Sequence, residues 1–346
     1  MASIPTVRGP IDSSELGVTL MHEHLFFQAG EKHRQKSFEY QVELARRAVE
    51  VGVNTMVDCG PYPEIERIVA LSEKTPELNL ILSTGAYLEG HTPEDVKRLD
   101  EDGMVERMGR HIALGYEGFE KTGIKAGVIK VAGSRSRRTE WEKKNFRAAA
   151  RAQREFRVPI VTHACAGARE QMELLGSCGA YIPATFYSHI EAKFGWDGRT
   201  VDQQAEYLRD VAEAGGYLQF NNFDFEFDTP FGEMMFLIDY LEEHGCGEKI
   251  FISIDCNFSM DDDGRVWHEA QKEHPETGKR THAYAITHAI PMMMASGVSL
   301  QRINKYFMEN PRRYFEAFDG PKSGGAKRRT PRGAKEKKSR GIRRKR

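Results

Sequence analysis

The chain has 346 residues, 50 Lys+Arg against 51 Asp+Glu, and a formal net charge of −1. That total hides an uneven distribution: residues 321–346 hold thirteen Lys/Arg and one acid, net +12, so the first 320 residues carry 37 basic and 50 acidic side chains, net −13. At 40% apolar and 10% aromatic the body is too hydrophobic for wholesale disorder, and five dispersed cysteines with no Cys-x-x-Cys pair argue against a disulfide framework.

In chain order, short apolar runs alternate with longer amphipathic stretches, as in βα units. The pattern predicts a strand over 17–21, a helix over 38–51, a strand over 54–58 and a helix over 64–72. Strands at 79–84 and 127–132 precede a helix at 141–156, a strand at 159–163 and a helix at 166–175. Then come a strand at 184–189, a helix at 201–214, a strand at 216–221, a helix at 231–244 and a strand at 249–255. A last helix, 299–308, opens on a serine cap and is expected to stop at Asn310-Pro311. Eight strands alternating with helices fit one (β/α)₈ TIM barrel over residues 1–320. A doubly wound sheet would show a Gly-rich turn after its first strand, and this sequence has none there. Gly-Pro-Lys-Ser-Gly-Gly at 320–325 marks the domain end. The Lys/Arg-rich tail 321–346, with Ile342 its one aliphatic residue larger than Ala, is expected to be disordered. No apolar run approaches the roughly 20 residues that span a bilayer, and the N-terminus lacks the basic-then-apolar pattern of a secretory signal. A soluble, cytoplasmic protein is expected.

Ionisable residues interrupt several of the predicted strands at one end. The first strand runs into His22-Glu23-His24, and in an extended chain residues two apart share a side, so both imidazoles can converge while Glu23 turns away. Alone, such a pair serves a surface as well as a ligand set. Lys130 interrupts the apolar run 126–132, where an ammonium is costly unless paired or neutralised. A neutral amine there could react with carbon dioxide to give a carbamate, an anionic two-oxygen group able to bridge two cations. From this position alone, a lysine whose head reaches the rim is the reading to prefer. His163 and His189 each end a strand, and Asp255 ends the last. Taken together, four imidazoles, a carboxylate and a carbamate form a mixed donor set that suits Zn²⁺, Mn²⁺ or Co²⁺.

Val7-Arg8-Gly9-Pro10-Ile11 with Leu16–Leu25, then Gly123–Lys130, and finally Glu309-Asn310-Pro311-Arg312-Arg313-Tyr314-Phe315 resemble the phosphotriesterase family of the amidohydrolase superfamily, which includes the phosphotriesterase-like lactonases. The resemblance covers about residues 5–317. It implies that His22, His24 and Asp255 bind a more buried metal and His163 and His189 a more exposed one. N6-carboxylated Lys130 and a hydroxide would bridge them, with Zn²⁺ first and Mn²⁺ or Co²⁺ as alternatives. The implied chemistry is attack of that hydroxide on an acyl or phosphoryl centre, with Asp255 taking up the proton; a homodimer is also implied.

The sequence also departs from the family. Where members often have Gly-His-x-Asp-Asp it reads Ser188-His189-Ile190-Glu191-Ala192, and the usual Ser-His-Asp is Ser253-Ile254-Asp255. Glu191 or Asp224 would then have to stand in the proton relay or face the substrate. Tyr87, ending Ser83-Thr84-Gly85-Ala86-Tyr87 as in the lactonases, would border the substrate. The expected activity is hydrolysis of a lactone or ester, with phosphotriester or N-acyl amide hydrolysis as alternatives. A different class stays open: an inactive barrel docked on nucleic acid or an anionic membrane through its thirteen-cation tail.

Overall fold

The computed structural model describes residues 1–26, 31–134, 138–164, 167–224, 228–267 and 281–319. The expected tail at 321–346 and most of the loop after the eighth strand, including His268, lie outside the described residues.

All eight predicted strands are present: β1 (Thr19–Glu23), β2 (Thr55–Asp58), β3 (Asn79–Gly85), β4 (Ala126–Ala132), β5 (Ile160–His163), β6 (Thr185–Ser188), β7 (Tyr217–Phe220) and β8 (Ile250–Ile252). They run parallel and follow one another in chain order around the sheet. At the seam between β8 and β1, Asp255 N–H donates to the His22 carbonyl and His24 N–H to the Cys256 carbonyl, both at 3.1 Å. The molecule is a (β/α)₈ TIM barrel.

Alternation along the strands builds two apolar layers. Met21, Val57, Ile81, Val128, Val161, Phe186, Tyr217 and Phe251 fill the barrel interior, while Leu20, Met56, Leu80, Leu82, Ile129 and Leu218 face the surrounding helices. The helices include Arg34–Glu50, Glu140–Phe156, Val201–Glu213 and Phe231–Glu243. Glu101–Ala113, whose few apolar residues are spread among charges, is an additional helix; Asp100 caps it by accepting from Gly103 N–H at 2.8 Å.

Two features differ from the pattern read in the sequence. An antiparallel hairpin, Ser3–Thr6 with Gly9–Asp12, covers the N-terminal end of the barrel and inserts Ile4 into the interior layer. Asn310-Pro311 does not end the last helix. Leu300–Asn304, capped by Ser299, passes through a π-helical turn at Lys305–Glu309 and resumes as Asn310–Phe315. The widened turn ahead of Pro311 accommodates its ring and its missing N–H inside the continuing helix. The continuation carries Tyr314 into the barrel floor. There its hydroxyl donates to the Ile160 carbonyl at 2.8 Å and its ring meets Phe186, Tyr217 and Phe251. The two ends of the described chain meet on this floor: Ser13 Oγ donates to Glu316 at 2.6 Å, and the N-terminal amine lies 4.0 Å from the Asp319 carboxylate.

Candidate metal centre

At the opposite end of the barrel, the ends of β1, β4, β5, β6 and the segment after β8 converge. Three local irregularities aim the side chains. A register shift between Leu20 and Glu23 in β1 interrupts the alternation, so Met21 packs inside the barrel and His22 and His24 still reach the cluster. In β6, Phe186 points inward, so strict alternation would turn His189 outward. Its left-handed backbone, φ 58°, turns the ring in. Asp255 likewise sits at φ 55°.

The resulting geometry is tight. His24 Nε2 lies 3.1 Å from Asp255 Oδ1, His22 Nε2 lies 3.7 Å from the same oxygen, and His189 Nε2 lies 3.4 Å from Oδ2. Ring centroids of His22 are 5.4 Å from His24 and 5.1 Å from His189, and His163 stands 4.7 Å from His189. Lys130, fully buried in β4, places Nζ 3.2 Å from His22 Nε2. Burial drives the His22 and His163 imidazoles well below their ordinary pKa, with neighbouring cationic groups adding to the shift. Burial raises Asp255, but His22, His189 and His24 outweigh it and hold the carboxyl well below its usual value. The cluster thus sets nitrogen donors around one carboxylate, and His22, His189 and Asp255 alone offer ligand atoms within 4.8 Å of one another.

Of the remaining predicted residues, Tyr87 stands in the cluster, its hydroxyl 3.4 Å from His163 Nε2 and its ring 6.0 Å from Lys130 Nζ. Glu191 is fully buried, and its Oε1 accepts from the backbone N–H groups of Asn221 and Asn222, both at 2.8 Å. Asp224 is half-buried in the loop after β7. Three neighbours were not picked out from the sequence. The Asn221 side-chain amide lies 3.2 Å from His189 Nδ1, a link its position just past β7 could have suggested. Asp58 ends β2 and obeys the same rule that singled out Asp255; burial raises it to about 6 despite nearby His24. His282, whose Nδ1 lies 2.7 Å from Glu23, carries no local signal, because 259 residues separate the two.

Comparison with known proteins agrees with this architecture. The profile of the Phosphotriesterase family matches residues 2–315. The chain is 28% identical to the Phosphotriesterase homology protein of Mycobacterium tuberculosis, covering 92% of this chain and 99% of that one. It is 28% identical to an Aryldialkylphosphatase of Saccharolobus solfataricus, covering 90% and 99%. Among solved structures, a mutant of a PTE-like lactonase from Deinococcus radiodurans superposes with a TM-score of 0.76 at 27% identity, covering 90% of this chain and all of that one.

Proposed function

The chain belongs to the phosphotriesterase family, and from that premise we propose a binuclear-metal hydrolase acting on a lactone or a related ester. The family is one of metal-dependent hydrolases, so hydrolysis of a small molecule is its chemistry. The reading is carried by Lys130: a buried lysine at the meeting point of four histidines and Asp255, against an imidazole nitrogen and with no ion-pair partner among the described residues. A charged ammonium would be costly in that place. Reaction of the amine with carbon dioxide forms an N–C bond and releases one proton, leaving an anionic carbamate.

The donor set fits two divalent cations, Zn²⁺ first and Mn²⁺ or Co²⁺ as alternatives. His22, His24 and Asp255 would hold one, His163 and His189 the other, with the Lys130 carbamate between them. Such a pair lowers the pKa of water and polarises a carbonyl or phosphoryl oxygen. The protein's own groups do the rest. Asp255, with three imidazoles 3.1–3.7 Å from its oxygens, is the carboxylate that would take up the proton. Glu191 fixes the Asn221 backbone, and Asn221 in turn orients His189. The Tyr87 hydroxyl borders the place where the acyl group would lie.

The likeness of residues 83–87 to the lactonases and the superposition on a PTE-like lactonase favour a lactone. Phosphotriester hydrolysis is the second reading, favoured by the likeness to the Aryldialkylphosphatase. A panel of lactones, aryl esters, phosphotriesters and N-acyl amides, offered to the Zn²⁺- or Mn²⁺-loaded protein, tests both. Lactones should turn over with the highest kcat/KM, and preference for another class replaces the first reading. Less than one equivalent of metal per chain in bicarbonate-supplemented protein would remove the binuclear centre.

A further inference from the structure

Behind the histidine cluster, at the β1–β8 seam, lies a second buried polar group that the proposed reaction does not use. Glu23, fully buried between His22 and His24, accepts four hydrogen bonds. Oε1 takes Ser253 Oγ at 2.6 Å and Ile254 N–H at 3.1 Å; Oε2 takes Cys256 N–H at 2.9 Å and faces His282 Nδ1 at 2.7 Å. The amides that Glu23 holds are those on either side of Asp255, and Asp255 is the residue forced into the left-handed region. A β-carbon-bearing residue stays in that region only when its surroundings hold it. We propose that Glu23, backed by His282 and Gln41, is the positioning residue that clasps Asp255 in its left-handed conformation and so sets how tightly the centre holds metal.

The backing follows from burial. A lone carboxylate without access to water is unfavourable unless a cation and hydrogen bonds satisfy it. His282 is fully buried beside it. Burial pushes the imidazole down, but Cys256 and Glu23 more than offset this and hold it at about 10. Gln41, from the helix Arg34–Glu50, closes the chain with its amide 2.9 Å from His282 Nε2. The amide orientation that presents its oxygen to the imidazole N–H also satisfies a buried Oε1 that otherwise lacks a partner. Glu23, Cys256 and His282 lie close enough together to suggest a separate cation site. The hydrogen bonds decide against it: both carboxylate oxygens are already occupied twice, and a protonated imidazole offers no lone pair.

The inference rests on the metal reading above, and its test separates the two. Full-length wild type, Glu23→Gln, His282→Gln and the double variant are loaded with Zn²⁺, and metal affinity is measured by competition with a chromogenic chelator. Amide exchange at Ile254 and Cys256 is followed in the metal-free proteins. Glu23→Gln should bind Zn²⁺ at least about tenfold more weakly and expose both amides to faster exchange. The double variant should recover part of the affinity, since it leaves no uncompensated imidazolium. If Glu23→Gln does not fold, Ser253→Ala, which removes the hydroxyl that donates to Glu23 and accepts from His22 N–H, should show the same two changes in smaller degree. Unchanged exchange, or faster exchange with unchanged Zn²⁺ affinity, overturns the proposal. A wild-type chain that takes up no Zn²⁺ overturns the metal reading, and the claim on affinity falls with it.

Discussion

The Tyr87 hydroxyl stands 3.4 Å from His163 Nε2, with the two rings edge to face at 5.3 Å. What brings them together is Gly85, two residues earlier, at φ 108° and packed so closely on the Lys130 carbonyl that a Cβ would collide with it. The loop after β3 is thereby drawn over the strand that carries the lysine. Tyr87→Phe keeps the ring and removes only the hydroxyl. We expect kcat/KM toward a lactone to fall about fivefold, the worth of one hydrogen bond, with metal content unchanged. Steady-state kinetics with metal analysis check this; wild-type kinetics in Tyr87→Phe would leave the ring alone as the contributor.

Lys130→Ala removes the group proposed to stand between the two cations. Bound metal should drop below two equivalents and turnover should fall by at least about 100-fold. Short carboxylic acids added to the assay should restore part of it by taking the place of the lost carboxyl group. A variant with undiminished turnover would show that the lysine carries no such group.

Asn221→Ala deletes the side-chain amide that faces His189 Nδ1 while leaving the strand intact. The ring then loses its orienting partner, and affinity for the more exposed metal should weaken about tenfold. Titration with Co²⁺, followed by its visible absorption, would resolve this site from the other.

His111 links β3 to the helix Glu101–Ala113: Nδ1 lies 2.8 Å from Thr84 Oγ1 and Nε2 lies 2.6 Å from Glu117. Burial lowers its pKa first and Arg107 adds to this, outweighing Glu117. A histidine depressed on folding binds fewer protons in the native state. Its contribution is therefore fully present above the unfolded value of about 6.5 and is lost as pH falls below it. Thermal melts between pH 7.5 and 5.5 should show a falling Tm, and His111→Gln should flatten that slope. Equal slopes in the two proteins would assign the loss to other groups.

We propose that residues 321–346 are dispensable for hydrolysis. A chain ending at Gly320 should keep wild-type kcat/KM and lose any salt-sensitive retention on heparin that the thirteen cations confer. Loss of turnover on truncation would instead place the end of the catalytic domain further along the chain.

The fold was legible because its signals are local. Apolar runs such as 126–132 and 159–163 are buried on both faces of a parallel sheet, and an ionisable residue ending such a run stands out. That contrast led to Lys130, His163 and Asp255, though the same rule passed over Asp58. What was not legible depends on distant pairing or backbone conformation. The turn of His189 into the cluster follows from one positive φ, not from residue type. The Glu23–His282 contact joins positions that no periodicity relates. Pro311 read as a stop because the widened turn before it has no sequence signature.

The meeting of the N-terminal amine with Asp319 has a consequence for engineering and for partners alike. Both termini of the described chain exit through the closed floor, the full depth of the barrel (about 20 Å for a strand as long as β3) from the histidines. A short linker should therefore join them into a ring, and new ends could be opened elsewhere, without touching the chemistry. By the same geometry, a surface that grips this protein at the floor would leave the end carrying the histidines facing outward, so that immobilisation and turnover need not compete.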